Sequence, residues 1–381
     1  MARKVTKING TRSSKKTTDK PVVNSVQALV TDVETQDKLV EDVLEEIQKN
    51  QLNTEQSEAA LSSELEKNEQ INTLVPDAKV FKKELDKQPV IGSLKSDLRI
   101  FQIHYESWQK ELLDPLFIAL DNSKSTSELL EFDVFVRLFK SEYVEGAKLW
   151  GALSWRFAEK TAMSGRDLIN AIQTNPGYDV YFCNPIPENE ALYHNMWLQG
   201  EVSHPQFLGL VQEVFKVTGL PLETLIAIES IESVSAANYF VGTPEFWKTY
   251  LVWVQNILTI ANKNLPPKIR DLMHSAAADD RNLHGGASYV PFIVERLFPL
   301  FMKLHSDRIK GFKIVMPERE KQLNVHVKLL REMKEMAHKT RSVWLAACWV
   351  NYRNLYLMQV KGKDWCQNYL NKITPGNIKF N

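Results

Sequence analysis

Cysteine is scarce in this sequence, neither charge sign is in excess, and long apolar runs are missing. Its three cysteines, Cys183, Cys348 and Cys366, form neither a CxxC pair nor an even framework. That pattern excludes a disulfide-stapled scaffold and fits a reducing compartment, with each thiol read as a buried small hydrophobe. With 47 basic and 47 acidic side chains the formal charge is zero. No overall field therefore recruits nucleic acid or an anionic membrane surface, and a charged partner must be met locally. The basic start, MARKVTKINGTRSSKK, lacks the apolar core of a secretory signal, and no window approaches the ~18 apolar residues of a spanning helix. These features read as a cytoplasmic protein without a transmembrane segment, leaving a peripheral position at the inner face of the membrane open. The aromatic stretch Trp344 to Met358 is broken by Asn351, Arg353 and Asn354 and reads as a packed core helix rather than a membrane anchor.

The strong short motifs are missing too. There is no GxxxxGK[ST] loop, no GxGxxG after a first strand, no HExxH, no GxSxG and no zinc spacing of Cys and His, so no cofactor is named by motif.

What is present is unevenly spread. Before Asp97 the only aromatic residue is Phe81, whereas all nine tryptophans follow it. Residues 1–25, rich in Lys, Arg, Ser and Thr, bury too little apolar surface to fold. Residues 26–96 form a polar helical arm in which Val26, Val33, Val40 and Ile47 recur at seven. That spacing fits a short coiled coil, a route to a homo-oligomer or a partner protein, or a solvated marginal helix. A second polar helical pattern runs from Leu61 to Leu74.

Residues 97–316 read as one α/β domain and 317–381 as a helical extension. Leu98 to Tyr105, Lys148 to Leu153 and Tyr178 to Cys183 are apolar runs with strand character. Helical spacing follows in Pro205 to Val217, closed by Gly219, in the segment capped by Thr243-Pro244-Glu245, and from Val290 to Leu304.

Ligands of an α/β sheet gather where strands end in loops. Four segments there carry polar chemistry. After the Lys148 to Leu153 strand come Arg156 and Lys160, cations able to hold a diphosphate, although an Arg156–Glu159 pair on a helix surface is the plainer reading. Asp179 and Asn184 flank the next strand, where an acid can position a metal or ribose hydroxyl, or merely suit a turn. Trp197, Glu201 and His204 lie in a run from Asn195 to Pro205, read as a loop whose indole, acid and imidazole suit sugar hydroxyls. Glu295, after Gly285-Gly286, is a carboxylate able to take a proton from an acceptor hydroxyl.

Taken in order, FQIHYESWQKELLDPLFIALDN from Phe101, GALSWRFAEKT from Gly151, PGYDVYFCNP from Pro176, WLQGEVSHPQF from Trp197, NYFVGTPEFWKTYLVWV from Asn238 and VPFIVERLFPLF from Val290 resemble the capsular and surface-polysaccharide glycosyltransferase-like domains of bacteria. The resemblance spans about residues 98–304. It implies a GT-A-like fold, a Rossmann-type mixed sheet flanked by helices, that moves a sugar from a nucleotide-sugar donor to a glycan acceptor. It also implies that Asn238 and Tyr239 line the acceptor side and that Glu295-Arg296 stands where the catalytic acid is expected; His204, a further catalytic candidate by residue type alone, is more often a capping or core histidine. Ser154-Trp155-Arg156-Phe157 stands where such folds place an Asp-x-Asp metal motif, and no acid pair is there. A divalent metal is thereby left open, and a non-catalytic glycan-binding or scaffold module is the alternative reading. A virion structural protein is a remoter one.

Overall fold

The computed structural model describes residues 94–235, 237–277 and 286–381. The basic tail, the heptad segment and the pattern from Leu61 to Leu74 lie outside the described residues.

The described chain is α/β, built on one six-stranded mixed sheet. Its strands are β1 (Leu98–His104), β2 (Ile118–Asp121), β3 (Leu149–Ser154), β4 (Val180–Phe182), β5 (Phe240–Gly242) and β6 (Gly311–Lys313), in the order β2-β1-β3-β5-β4-β6. β1 is parallel to both β2 and β3. From Arg99 onward all its side chains are buried, as expected of a strand covered on both faces. β5 runs antiparallel to β3 and to β4, and β6 pairs in parallel with β4. The carboxyl ends of five strands and the amino end of β5 therefore share one edge.

Helices cover the sheet in the order α1 (Glu131–Phe139), α2 (Phe157–Thr161), α3 (Gly165–Thr174), α4 (Glu188–Leu192), α5 (Met196–Ser203), α6 (Phe207–Thr218), α7 (Pro244–Asn264), α8 (Pro267–His274) and α9 (Tyr289–Leu304). Beyond β6 come α10 (Pro317–Gln322), α11 (Val325–Thr340), α12 (Val343–Lys361) and α13 (Lys363–Tyr369). Local chemistry sets the ends. Thr243 caps α7 by accepting from the Phe246 N–H, with Pro244 in the first turn, and Gly219 ends α6 at φ +71°, a left-handed position that glycine occupies without strain.

The main core lies between the sheet and α1, α6, α7 and α9. Its centre is aromatic: Trp150 and Trp247 stack at 4.2 Å, and the Trp247 indole N–H donates to the Trp150 carbonyl at 2.8 Å. The last helices close two smaller clusters, one around Leu330, Ala346 and Trp349 and one around Leu357, Cys366 and Ile373.

Several expectations change. β2, β5 and β6 are only three or four residues long and lack a periodicity that sequence can show. The run from Asn195 to Pro205 is the helix α5 rather than a loop, because the Asn195 side chain caps it by accepting from the Leu198 N–H. Cys183 and Cys366 are buried, but Cys348 is exposed. The Trp344 to Met358 helix is packed on one side only: Trp349 and Leu357 are enclosed, while Trp344 is 84% exposed.

β5 reaches its place because β3 carries a glycine opposite it. A Cβ on Gly151 would sit 2.5 Å from the Phe240 carbonyl oxygen and 3.1 Å from the Val241 Cα, backbone atoms that cannot step aside. Gly151→Ala is therefore expected to lower stability by about 2 kcal/mol, read as a reduced urea midpoint. An unchanged midpoint would show that β5 is not held this closely.

Candidate functional site

At the shared edge the ends of β1, β3 and β5 and the first turn of α1 bring polar side chains together. Ser154, the last residue of β3, shares a 2.7 Å hydrogen bond with the Tyr239 hydroxyl. Asn238, next to it, donates from Nδ2 to the Glu131 carboxylate at 3.1 Å. Its Oδ1 is buried without a partner, an acceptor that the surrounding side chains leave unsatisfied. The Lys160 ammonium, from α2, stands 5.8 Å from the centre of the Tyr239 ring. Lys160 is itself held in place, since its carbonyl accepts from Arg319 Nε at 2.7 Å.

Glu131 enters the edge from a strained start. Leu130, just before α1, has φ +48° and ψ −119°, a region that costs a branched residue about 1 to 3 kcal/mol and is tolerated where surroundings enforce it. The turn aims Glu131 at Asn238.

Glu295 comes from α9, the one residue from Tyr289 to Phe301 that is not buried. Its side chain is 26% exposed, enough for solvent or a ligand to reach it. Burial of the carboxyl, followed by repulsion from Glu131, pushes its pKa up to about 7 against the pull of Arg296 and Lys160. A glutamate so placed is divided between acid and base near neutrality, the condition under which proton transfer is most effective. Burial and then Glu131 also raise the Tyr105 phenol, at the end of β1. Tyr239 is raised by burial too, with its Ser154 hydrogen bond opposing. Both phenols stay neutral donors at physiological pH.

The expected residues fall into two groups. Lys160, Asn238 and Tyr239 meet at the edge, and Glu295 is near enough to Lys160 and Glu131 to feel their charge. Arg156 lies beside them but is engaged by the two-pronged contact with Glu159 at 2.8 and 2.5 Å on the surface. The others are elsewhere. Arg296 is buried, donating to the carbonyls of Met196 and Phe292 and to Gln199, and its guanidinium also stands 3.8 Å from the Glu295 carboxylate. Trp197 packs against Phe207 and Phe215. The Glu201 carboxylate accepts from the Leu208 N–H, and His204 is buried, stacked on Phe292 at 3.8 Å. Helical phase explains these placements: once Asn195 to Pro205 is helical, its indole and imidazole turn inward. Asp179 sits at the opposite edge of the sheet, where it accepts from the Lys310 N–H. Asn184 is at the near edge, but its amide is spent on Glu190 and the Ile186 carbonyl.

Glu131, Ser154 and Tyr105 were not singled out by sequence reasoning. The signal for Glu131 was an acid opening an amphipathic helix, a pattern shared with ordinary helix starts. Among the described residues no group of three His, Cys, Asp or Glu side chains is arranged to hold a metal ion, and no helix is long and apolar enough to cross a membrane. Compared with family models, curated proteins and solved structures, the chain matches none.

The raised Glu295 carboxyl has a consequence for stability. Its folded pKa of about 7 lies above the ordinary 4.5, so the native state binds this proton more tightly than the unfolded chain. The stability this confers is complete below about pH 4.5 and is lost as pH rises through about 7. Glu295→Gln should remove that component, so wild type gains on the variant as pH falls from 8 to 5 in paired denaturant titrations. Parallel curves would show that Glu295 ionises normally.

Proposed function

We propose that the protein is a glycosyltransferase of GT-A-like architecture, with Glu295 as the base that activates the acceptor. The observation that carries this reading is the partly exposed Glu295 carboxyl, raised to about 7 and near enough to Glu131 and Lys160 to feel their charge, with Glu131 bonded to Asn238 and Lys160 beside Tyr239 at the carboxyl edge of the α/β sheet. Open α/β sheets bind ligands at that edge, next to the point where strand order reverses, and here β1 is paired on its two sides with β2 and β3.

The chemistry is a direct displacement. An acceptor hydroxyl attacks the anomeric carbon of the donor sugar and gives its proton to Glu295. The new C–O bond forms as the bond from the anomeric carbon to the diphosphate oxygen breaks, and the nucleoside diphosphate departs with the electron pair. Lys160 supplies positive charge for the departing group, where a fixed cation stabilises developing negative charge. Glu131 has two roles: it orients Asn238 and, by repulsion, keeps Glu295 basic.

The test is donor binding followed by transfer. A panel of nucleotide sugars, with and without Mg²⁺ or Mn²⁺, should include one that raises the melting temperature, because a ligand selective for the folded state stabilises it by mass action. With that donor, Glu295→Gln is expected to keep binding but lower nucleoside diphosphate release at least about 100-fold. Lys160→Ala should weaken donor binding about tenfold. Full transfer by the Gln variant would remove Glu295 from the chemistry, and stabilisation by a glycan with no donor binding would favour the non-catalytic module.

A further inference from the structure

The C-terminal helices present a surface unlike the rest of the molecule. From Val343 to Val360, Arg353 is the only charged residue, and its guanidinium is turned inward to the Thr374 hydroxyl and the Ile373 carbonyl. A largely apolar helix is normally enclosed, yet among the described residues α12 is covered on one side only. Trp344, Cys348, Asn351, Leu355 and Met358 follow one another at helical spacing and form a single outward face. Trp344 is 84% exposed, Leu355 65% and Met358 51%. Val325 and Met336 of α11 are exposed as well.

Charge distinguishes what such a face fits. Residues 324–381 hold ten Lys and Arg against three Asp and Glu, in a chain whose total is neutral. Lys328, Arg341, Lys361, Lys363 and Lys379 are exposed, Lys339 and Lys372 are exposed but paired with Glu335 at 3.3 Å and Glu201 at 3.5 Å, and among the acids of this segment only Glu332 and Asp364 are exposed. Lys339 and Arg341 lie at the turn beside Trp344, while Lys361 and Lys363 stand at the far end of α12. An apolar stripe carrying an indole and flanked by basic side chains is what sinks into the headgroup boundary of an anionic bilayer. A protein partner would need an apolar groove but not this excess of one charge.

We infer that α12, with the basic residues around it, docks the protein flat onto anionic lipid. It lies on the bilayer and does not cross it, since no described helix is long and apolar enough to do so. This inference is independent of the transferase chemistry.

Sedimentation of the full chain with vesicles of phosphatidylcholine alone, or mixed with phosphatidylglycerol, tests it. Expected is binding to the mixed vesicles, weakened by salt, with a blue shift of tryptophan emission. The double variant Trp344→Ser/Leu355→Ser should bind them at least about tenfold more weakly, and Lys361→Glu/Lys363→Glu should also lose affinity. All four positions are exposed, so far-ultraviolet dichroism should confirm unchanged folding. The basic residues 1–25, with seven Lys and Arg to one Asp, are common to all these proteins and cannot produce the difference. Unchanged binding by the apolar double variant, or equal binding to neutral vesicles, would overturn the proposal. So would self-association of the wild type that the same substitutions abolish.

Discussion

The antiparallel placement of β5 between β3 and β4 is the constraint on which the rest of the arrangement depends. A parallel strand there would send Asn238 and Tyr239 to the opposite edge of the sheet. Run antiparallel, the entry of β5 meets the exit of β3, and Tyr239 bonds Ser154 while Asn238 reaches Glu131. The close approach at Gly151 and the Trp150–Trp247 stack hold the pair of strands against α7. One backbone pairing thus supplies both the centre of the core and the polar contacts at the sheet edge.

Electrostatics then sets the charge state of this edge. Glu131 and Glu295 come from helices more than 150 residues apart in the chain, and their repulsion adds to burial in keeping a proton on Glu295 near neutrality. Lys160 offsets part of that repulsion without forming a close pair with Glu295. A tighter contact would return the carboxyl to ordinary acidity and leave it a weaker base. Glu190, by contrast, meets Lys313 at 2.7 Å and Arg331 at 3.5 Å. Those groups join the C-terminal helices to the sheet.

The elements legible in sequence were those with enough length to show a period. β1, β3, the core of β4, α6, α7 and α9 all stand where apolar spacing and caps predicted them. The three-residue strands β5 and β6 carry no such period, and only pairing with neighbours makes them strands. For the site, Glu295 and Lys160 were readable as polar residues beside apolar elements, whereas Asn238 and Tyr239 were named only through the family resemblance. Glu131 was not readable, because its meaning comes from facing Glu295 and Asn238, a contact across the fold. His204 and Trp197 show the converse. Their residue types suit sugar recognition, but the Asn195 cap makes their segment helical and turns them into the core.

The carboxyl pair is tested most directly by following the Glu295 carboxyl resonance with pH, in the wild type and in Glu131→Gln. Expected is a midpoint near 7 in the wild type that moves toward the ordinary glutamate value once the Glu131 charge is removed. An ordinary midpoint in the wild type, or one indifferent to Glu131, would contradict a shared crevice and the base role built on it.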